Sequence, residues 1–231
     1  MNLTVIIPAY NEEATVSAVL KKVLANRLTK EIIVVNDGSS DGTRHRIQDT
    51  GNRKVKIINK KRNEGKGAAI RDALKIATGN IFIIQDADLE YDPREYSKLI
   101  KPILENKADV VYGSRFMGSD AHRVLYFWHM LGNKFLTLLT NIATNLNLTD
   151  METCYKVFTK QVSLKLNIKE NRFGFEPEFT IKVAQMGFRI YEVGIGYSGR
   201  SYIEGKKINW RDGIWAIWCI LKYSLYVWNR R

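Results

Sequence analysis

Cysteine and histidine are scarce in this sequence, which contains two cysteines and three histidines among its 231 residues. Cys154 and Cys219 lie far apart and belong to no CxxC motif or histidine cluster. This spacing argues against a disulfide framework and a structural zinc site, and it fits a protein of the reducing cytoplasm. Residues 1–4 lead directly into an apolar run without a basic segment or a cleavage site, so we expect no secretory signal.

The sequence also lacks an apolar run that would cross a bilayer, which takes about 20 residues. Its longest segment of apolar periodicity, residues 123–148, is interrupted by four polar side chains: His129, Asn133, Lys134 and Asn141. The segment therefore favours an amphipathic helix, or a helix pair, that lies on a surface. Packing of the same stripe on the sheet or on a second subunit is an equal alternative, so a homo-oligomer stays open.

The final segment, residues 210–231, carries a second apolar stripe, which is interrupted by Lys222. Trp, Tyr and basic residues accompany this stripe, and such residues favour the interface between lipid and water. We therefore expect a C-terminal helix that lies in the headgroup region or packs on the protein, and a peripheral contact of the chain with a membrane.

Acidic residues are outnumbered by basic ones, 24 to 36, which gives a net charge of +12. A charge of this size indicates attraction to an anionic partner, which would be nucleic acid, an acidic membrane surface or a phosphorylated substrate. The charge by itself does not choose among these three.

Apolar β-rich runs alternate with segments of helical periodicity along most of the chain. The predicted strands cover residues 3–8, 31–36, 55–59, 81–84, 109–113, 152–158 and 188–197. The predicted helices cover residues 12–25, 43–50, 63–77, 93–105, 123–148, 176–186 and 210–228. This alternation predicts an α/β fold with a doubly wound, mostly parallel sheet and helices on both faces. We expect one main domain at residues 1–209, with an amphipathic insert at about 121–148, and a C-terminal helix at 210–231.

Three acids on alternate positions follow the predicted strand at residues 81–84, namely Asp86, Asp88 and Glu90. Open α/β sheets bind their ligands at the carboxyl ends of such strands. Carboxylate oxygens without a nearby His or Cys suit Mg²⁺ or Mn²⁺, which commonly bridge protein carboxylates to phosphates. These acids therefore predict a metal site for a nucleoside diphosphate, whereas an isolated Asp-x-Asp would more often be a solvated turn ahead of a helix.

Further polar loops follow the other predicted strands and are expected at the same edge of the sheet. Together the motifs are VIIPAYNEE, VVNDGSSDGT, NEGKGAAIRDAL, QDADLEYDP and YGSR. This set resembles the family 2 glycosyltransferases of the GT-A fold. Within the family it is most similar to the dolichol- or polyprenyl-phosphate mannose and glucose synthase branch, through the motifs DADLE, GSRF, TDMET and GRS.

The resemblance implies a nucleotide-binding set, with Asp37 bonded to the base and Lys66 reaching a ribose or phosphate. The residues of this set are Pro8, Tyr10, Glu12, Val35, Asp37, Lys66 and Asp86. Asp86 and Asp88 match the DxD motif that holds Mg²⁺ or Mn²⁺ on the diphosphate, and Glu90 stands where this branch often has Gln and would complete the metal shell. The turn at residues 65–67 is neither a Walker A loop nor GxGxxG, which argues against an ATPase or a dehydrogenase.

The resemblance also implies a catalytic set of Asp88, Asp150, Arg123 and Arg200. Arg123 and Arg200 would clamp a lipid phosphate, as guanidinium groups do. Asp150 is the candidate on the acceptor side, with a plain turn or N-cap aspartate as an equal alternative. A polyprenyl phosphate is already ionised and needs positioning, whereas a sugar hydroxyl needs a general base.

We therefore expect a metal-dependent, inverting glycosyltransferase at the cytoplasmic face of the membrane. Its donor would be a nucleotide-diphosphate sugar of the GDP-mannose or UDP-glucose type, and its acceptor polyprenyl or dolichyl phosphate. One alternative is a glycosyltransferase with a soluble saccharide acceptor in cell-envelope polysaccharide synthesis. The other is a basic, non-catalytic module that binds a membrane or nucleic acid. The acidic triplet argues against this module, since carboxylates repel phosphate unless a metal intervenes, so we expect no nucleic acid partner.

Overall fold

A computed structural model describes residues 2–118, 123–124, 126–201 and 210–228, and within the last range the side chains of 211–225. The strands are β1 (Leu3–Ala9), β2 (Thr29–Asn36), β3 (Val55–Asn59), β4 (Ile81–Ile84), β5 (Val110–Ser114), β6 (Lys156–Thr159) and β7 (Ile190–Gly194). The helices are α1 (Val16–Ala25), α2 (Thr43–Gln48), α3 (Lys66–Ile76), α4 (Tyr96–Leu104), α5 (Phe127–Thr144), α6 (Lys160–Lys165), α7 (Phe175–Gln185) and α8 (Trp210–Trp228). A short 3₁₀ turn at Pro93–Glu95 leads into α4.

The seven strands form one sheet in the order β3-β2-β1-β4-β6-β5-β7. β1 pairs in parallel with β2 and β4, and β5 pairs in parallel with β7. β6 is antiparallel to both of its neighbours, β4 and β5. The predicted α/β class with a mostly parallel sheet is confirmed. The reversed β6 has a consequence for the site, because the chain just before β6 lies at the same edge as the chain just after β1, β4 and β5.

The centre of the sheet is a continuous apolar core. Ile32, Ile33, Val34 and Val35 of β2 are completely buried, as are Ile83 and Ile84 of β4. Strands covered by helices on both faces read as unbroken Val and Ile runs, which is why the sequence pattern identified them. The carboxyl ends of these strands lie at an edge where the pattern turns abruptly polar.

Two predicted strands are shorter in the structure than in the sequence pattern. The predicted strand at 152–158 becomes β6 only at Lys156, because residues 150–153 form a turn whose side chains bond to neighbouring segments. Of the predicted strand at 188–197, only Ile190–Gly194 forms a strand, and this segment pairs with β5. The predicted helix at 123–148 spans only Phe127–Thr144, and the left-handed backbone of Asn145 (φ 57°) ends it.

α5, α7 and α8 enclose a second, smaller core. Its buried members are Leu136, Met151, Ile181, Ala216, Cys219, Ile220 and Tyr223. Glu170 fastens α8 to the loop ahead of α7, since its carboxylate accepts hydrogen bonds from Trp215, Lys222 and Tyr223. The predicted C-terminal helix is thus present and packs on the protein through one of its faces.

The opposite sides of α5 and α8 expose large apolar side chains. On α5 these are Phe127, Trp128, Leu131, Phe135, Leu138 and Ile142. On α8 they are Ile214, Trp215, Trp218, Leu221 and Leu225. We call this set the α5/α8 apolar face. Within the described ranges, no helix combines the length and the apolar content needed to cross a membrane.

Candidate active site

The loops that follow β1, β2 and β4, and the turn that precedes β6, meet at one edge of the sheet. The structure brings most of the sequence-predicted residues together there, through ion pairs between segments far apart in the chain. Arg200 and Asp88, for example, are separated by 112 positions and their side chains are 2.8 Å apart. The site is therefore a dense cluster of carboxylates and cations.

Asp37, the predicted base contact, fastens the loop that leads into α3. Its carboxylate accepts hydrogen bonds from the backbone N–H groups of Glu64 and Gly65 and lies 3.2 Å from Lys60 Nζ. Gly65 has a φ of 103°, and a Cβ at this position would lie 2.4 Å from the carbonyl oxygen of Asn171. Asp37 and Gly65 together hold the turn that presents Lys66. The predicted contact of Asp37 with the base stays a prediction.

The other residues of the predicted nucleotide-binding set differ in how much of each side chain is exposed. Pro8 and Val35 are partners in the β1–β2 register, but Val35 is completely buried, so its side chain belongs to the core and not to the surface of the cleft. Tyr10 is exposed at the end of β1. Glu12, two positions further, turns its carboxylate toward Arg200, with Oε2 at 3.1 Å from Nη1.

Lys66 lies at the start of α3, between two acids. Its Nζ is 2.9 Å from Asp86 Oδ1 and 3.1 Å from Glu176 Oε1. Burial alone would lower the pKa of this ammonium, but Asp86, Cys154 and Glu176 raise it well above its ordinary value. Lys66 is therefore a permanent cation directly beside the first acid of the DxD motif.

Arg200 is held by three carboxylates. Its guanidinium contacts Asp88 Oδ2 at 2.8 Å, Glu12 Oε2 at 3.1 Å and Glu90 Oε1 at 3.5 Å. Its backbone N–H donates to Glu90, whose other carboxylate oxygen accepts from the Tyr197 hydroxyl. The loop at residues 197–200 is thus attached directly to the predicted metal ligands.

The negative charges of the clustered carboxylates are only partly neutralised by the neighbouring cations. Burial, together with the neighbouring charges of Asp86 and Glu90, raises the pKa of Asp88 to about 8 against the opposing effect of Arg200. In the part of the chain that the structure describes, no group of three or more His, Cys, Asp or Glu side chains is arranged to hold a metal ion by itself. An additional cation beside Asp86 and Asp88 would relieve their repulsion, and an all-oxygen donor set suits Mg²⁺ or Mn²⁺.

Asp150, predicted for the acceptor side, is completely buried. Its carboxylate accepts hydrogen bonds from Arg115, from the backbone N–H at 3.0 Å, from Nε at 2.7 Å and from Nη2 at 2.8 Å. Through these hydrogen bonds, Asp150 holds the Arg115 guanidinium in a fixed orientation. Arg115 was not singled out from the sequence, although the motif GSRF contains it.

Arg123, which precedes α5, contacts the loop after β7 that carries Arg200. Arg123 Nη1 donates to the carbonyl oxygen of Gly199 at 3.1 Å, and its backbone N–H donates to that of Tyr197. The guanidinium carbon of Arg115 lies 5.3 Å from the centre of the Tyr197 ring. Arg115 and Arg123 therefore contact residues 197–200, and Arg200 is part of this segment. The basic residues Lys206 and Lys207 lie outside the described residues.

The fold and the acidic cleft define the class of this protein, an α/β glycosyltransferase of the GT-A type. The chain belongs to glycosyl transferase family 2, whose family model matches residues 4–166.

Three curated relatives illustrate the similarity. An uncharacterized protein of Methanocaldococcus jannaschii is 30% identical over 96% of this chain and 92% of its own length. The dolichol-phosphate mannosyltransferase of Pyrococcus furiosus is 28% identical over 90% of this chain and 61% of its own length. The dolichyl-phosphate beta-glucosyltransferase ALG5D of Trichomonas vaginalis is 28% identical over 98% of this chain and 75% of its own length. The resemblance to the dolichol-phosphate sugar synthase branch is thus confirmed.

Solved structures confirm the fold. The glucosyl-3-phosphoglycerate synthase of Mycobacterium tuberculosis, in complex with Mn²⁺, UDP and glucosyl-3-phosphoglycerate, superposes with a TM-score of 0.76. The match covers 96% of this chain and 80% of that one at 21% identity. At this identity the likeness establishes the fold and not the substrate.

Proposed function

We propose that this protein is an inverting, metal-dependent glycosyltransferase that transfers a hexose from a nucleotide-diphosphate sugar to polyprenyl phosphate at the cytoplasmic face of a membrane. The observation that carries the proposal is the convergence of the DxD acids with Lys66 and Arg200 at one edge of the sheet. Both cations lie within ion-pair distance of an acid of the motif, so charged groups of both signs are available for a diphosphate and its metal.

For the donor, Asp86 and Asp88 would hold Mg²⁺ or Mn²⁺, with Glu90 as a further ligand. The ion, when bound, stabilises the negative charge that develops on the leaving diphosphate. Lys66, which pairs with Asp86, would contact the diphosphate, and the turn at Gly65 holds the start of α3 that carries it. The mycobacterial synthase, which was crystallised with Mn²⁺ and UDP-glucose, supports this interpretation.

For the acceptor, a phosphate is favoured by the arginines around residues 197–200. Arg115, Arg123 and Arg200 all contact this loop or form part of it. An ionised phosphate needs cations that orient it for attack on the anomeric carbon, and it needs no general base. The buried position of Asp150 agrees with this requirement, because its carboxylate is fully occupied by Arg115. The names of the relatives from Pyrococcus and Trichomonas support the same acceptor.

The polyprenyl chain of such an acceptor calls for an apolar surface near the arginines. α5, which carries half of the α5/α8 apolar face, begins at Phe127, only four positions after Arg123. A lipid phosphate beside Arg123 would therefore have this face next to its hydrocarbon chain. Each Trp or Leu buried in lipid contributes about 1.5–3 kcal/mol at most, so several together hold a protein of this size on a bilayer.

A transfer assay tests the proposed function. The protein is incubated with Mn²⁺ and a panel of UDP- and GDP-sugars, with and without polyprenyl phosphate, and labelled glycolipid is measured. We expect transfer that requires the metal and the lipid phosphate. Release of nucleoside diphosphate that is stimulated by a soluble saccharide, and not by the lipid phosphate, would favour the alternative acceptor. Absence of any metal-dependent binding of UDP or GDP would contradict a glycosyltransferase.

Flotation with anionic liposomes tests the membrane contact. We expect the parent protein to float at low salt and to be released in part as salt rises, because both apolar burial and basic charge contribute. The double variant Trp128→Ser/Trp218→Ser, which changes one exposed Trp on each helix of the α5/α8 apolar face, should bind at least about tenfold more weakly. Trp228, at the end of α8, has a side chain outside the described residues.

The matched control for flotation is Leu104→Ser/Leu164→Ser. These leucines are also exposed, but they belong to α4 and α6 and not to the α5/α8 apolar face. The control variant should float like the parent. If the parent protein fails to float at low salt and forms a stable dimer, the α5/α8 apolar face binds a second copy of the chain instead of a membrane.

A further inference from the structure

Two carboxylates beside the DxD motif have buried oxygen atoms without a hydrogen-bond partner. Glu176, in the first turn of α7, is 3% exposed, and its Oε1 is paired with Lys66. Its Oε2 is buried and accepts no hydrogen bond from any described residue. Glu152, in the turn before β6, is half-buried, and its Oε1 is likewise buried and unpaired among the described residues. Neither acid was assigned a role from the sequence.

The turn that carries Glu152 is rigidly held. Lys156 is completely buried, and its ammonium donates hydrogen bonds to the carbonyl oxygens of Met151 and Thr153, on either side of Glu152. The Thr153 hydroxyl in turn donates to the carbonyl oxygen of Gly113. A side chain mounted on so fixed a turn has a defined position, as the residues of binding sites require.

Glu152 and Glu176 are electrostatic neighbours. Burial raises the pKa of Glu152 to about 8, with the charge of Glu176 as the next cause, and Lys156 and Arg115 oppose both effects. Glu176 is connected to Asp86 through Lys66, whereas Glu152 lies two positions after Asp150, whose carboxylate holds the Arg115 guanidinium. The two acids therefore lie between the predicted positions of the donor diphosphate and the acceptor phosphate.

The ligand that suits this place is neutral and rich in hydroxyl groups. A buried carboxylate oxygen without a donor is costly, and proteins keep such groups where a ligand satisfies them. Lys66 and Lys156 already supply positive charge here, so what these oxygens lack is O–H donors. A hexose provides several such donors, and the hexose of a nucleotide sugar must lie between its diphosphate and the acceptor.

We propose that Glu152 and Glu176 bind hydroxyl groups of the donor hexose, and that Glu152 is a specificity-determining residue for the sugar. This inference rests on the proposed function, because it requires a nucleotide sugar at the DxD motif. Glu176, which also neutralises Lys66, links the position of the hexose to the cation beside the diphosphate. Glu152 has no ion-pair partner within 4 Å among the described residues, so its oxygens are the more available ones for selecting between sugars.

The variant Glu152→Gln tests this role because it keeps the shape of the side chain and replaces one carboxyl oxygen with an amide NH2 group, which cannot accept a hydrogen bond. Affinities of UDP, GDP, UDP-glucose and GDP-mannose are measured by calorimetry with Mn²⁺ present, alongside kcat/KM for transfer. We expect the affinity for the free nucleotides to stay within about twofold of the parent, while kcat/KM for the preferred nucleotide sugar falls about threefold to tenfold, as for a lost hydrogen bond. Glu105→Gln, an exposed change at the end of α4, is the control and should alter neither quantity.

Deoxy analogues of the preferred sugar identify the hydroxyl. With the parent protein, a deoxy sugar that lacks the hydroxyl bound by Glu152 should have a lower kcat/KM. With Glu152→Gln, the same deoxy sugar should cause little further loss, because two groups in contact show coupled effects. If Glu152→Gln leaves kcat/KM unchanged for every sugar while the parent binds nucleotides, the inference is overturned and the glycosyltransferase proposal stands. Equal losses for free nucleotides and nucleotide sugars would also overturn it, since they indicate a merely structural residue. A parent protein that binds no nucleotide would overturn both proposals.

Discussion

Asp88→Asn is expected to lower metal-dependent sugar transfer by about 100- to 1,000-fold, the range seen when one group that stabilises transition-state charge is removed. Asp88 is buried among Asp86, Glu90 and Arg200, so its carboxylate is part of the charge balance that a cation and a diphosphate would join. Asparagine keeps the size of the side chain and loses the anionic oxygen. Initial rates at saturating Mn²⁺ measure the effect, and circular dichroism should show an unchanged fold.

Asp92→Asn provides the control for this variant. Asp92 lies four positions further along the same acidic stretch, but its carboxylate caps the turn at Pro93–Glu95 and pairs with the exposed Arg94. Asparagine is an equally good capping residue, so we expect turnover within about twofold of the parent. If Asp88→Asn turns over like Asp92→Asn at saturating metal, the assignment of the DxD motif is wrong.

Asp150→Asn is expected to destabilise the folded protein by about 3–5 kcal/mol, because it leaves the charge of Arg115 buried without its partner. For a chain of this length the loss corresponds to a fall in Tm of about 6–20 °C. The ion pair is formed by a carboxylate with no exposed surface and a guanidinium that is 12% exposed. Urea unfolding followed by circular dichroism measures the change in free energy of unfolding, and sugar transfer at low temperature shows whether the folded variant remains active.

Asp109→Asn is a matched control for Asp150→Asn. Arg189 contacts Asp109 through the same three groups, its backbone N–H, Nε and Nη2, at 2.9, 3.0 and 2.9 Å. That pair is at the surface, where Arg189 is 48% exposed, so water solvates the arginine once its partner is gone. We expect a loss of at most about 1 kcal/mol. Equal losses of unfolding free energy in the two variants would mean that the effect of Asp150→Asn does not depend on the burial of its ion pair with Arg115. Asp150 would then be an ordinary turn aspartate.

Local sequence pattern was enough to predict most elements of the fold. β2 and β4 stand out because short Val and Ile runs are buried on both faces, and α3 follows from helical periodicity after the Gly65 turn. The acids that follow β4 were also predictable, since a parallel strand directs its carboxyl end to the ligand edge of the sheet. In each case the informative residues are neighbours in the chain.

The reversal of β6 was not predictable in this way. A strand of four residues between β4 and β5 has the same apolar pattern in either direction. Its direction nevertheless decides that Asp150 and Glu152, which precede the strand, join residues that follow the other strands. The rule that sites form at carboxyl ends of strands therefore gives no signal for Glu152.

The sequence by itself determined the α/β class, the family and the DxD motif, because these depend on residue types at short and fixed spacings. Only the tertiary structure decided the partners of the charged groups: Arg200 with Asp88, Lys66 with Glu176, and Arg115 with Asp150. Periodicity specifies which side of an element is buried, whereas a charge pair depends on which distant segments burial brings together. For the same reason an acid that looks catalytic in the sequence, such as Asp150, lies buried behind an arginine in the folded chain.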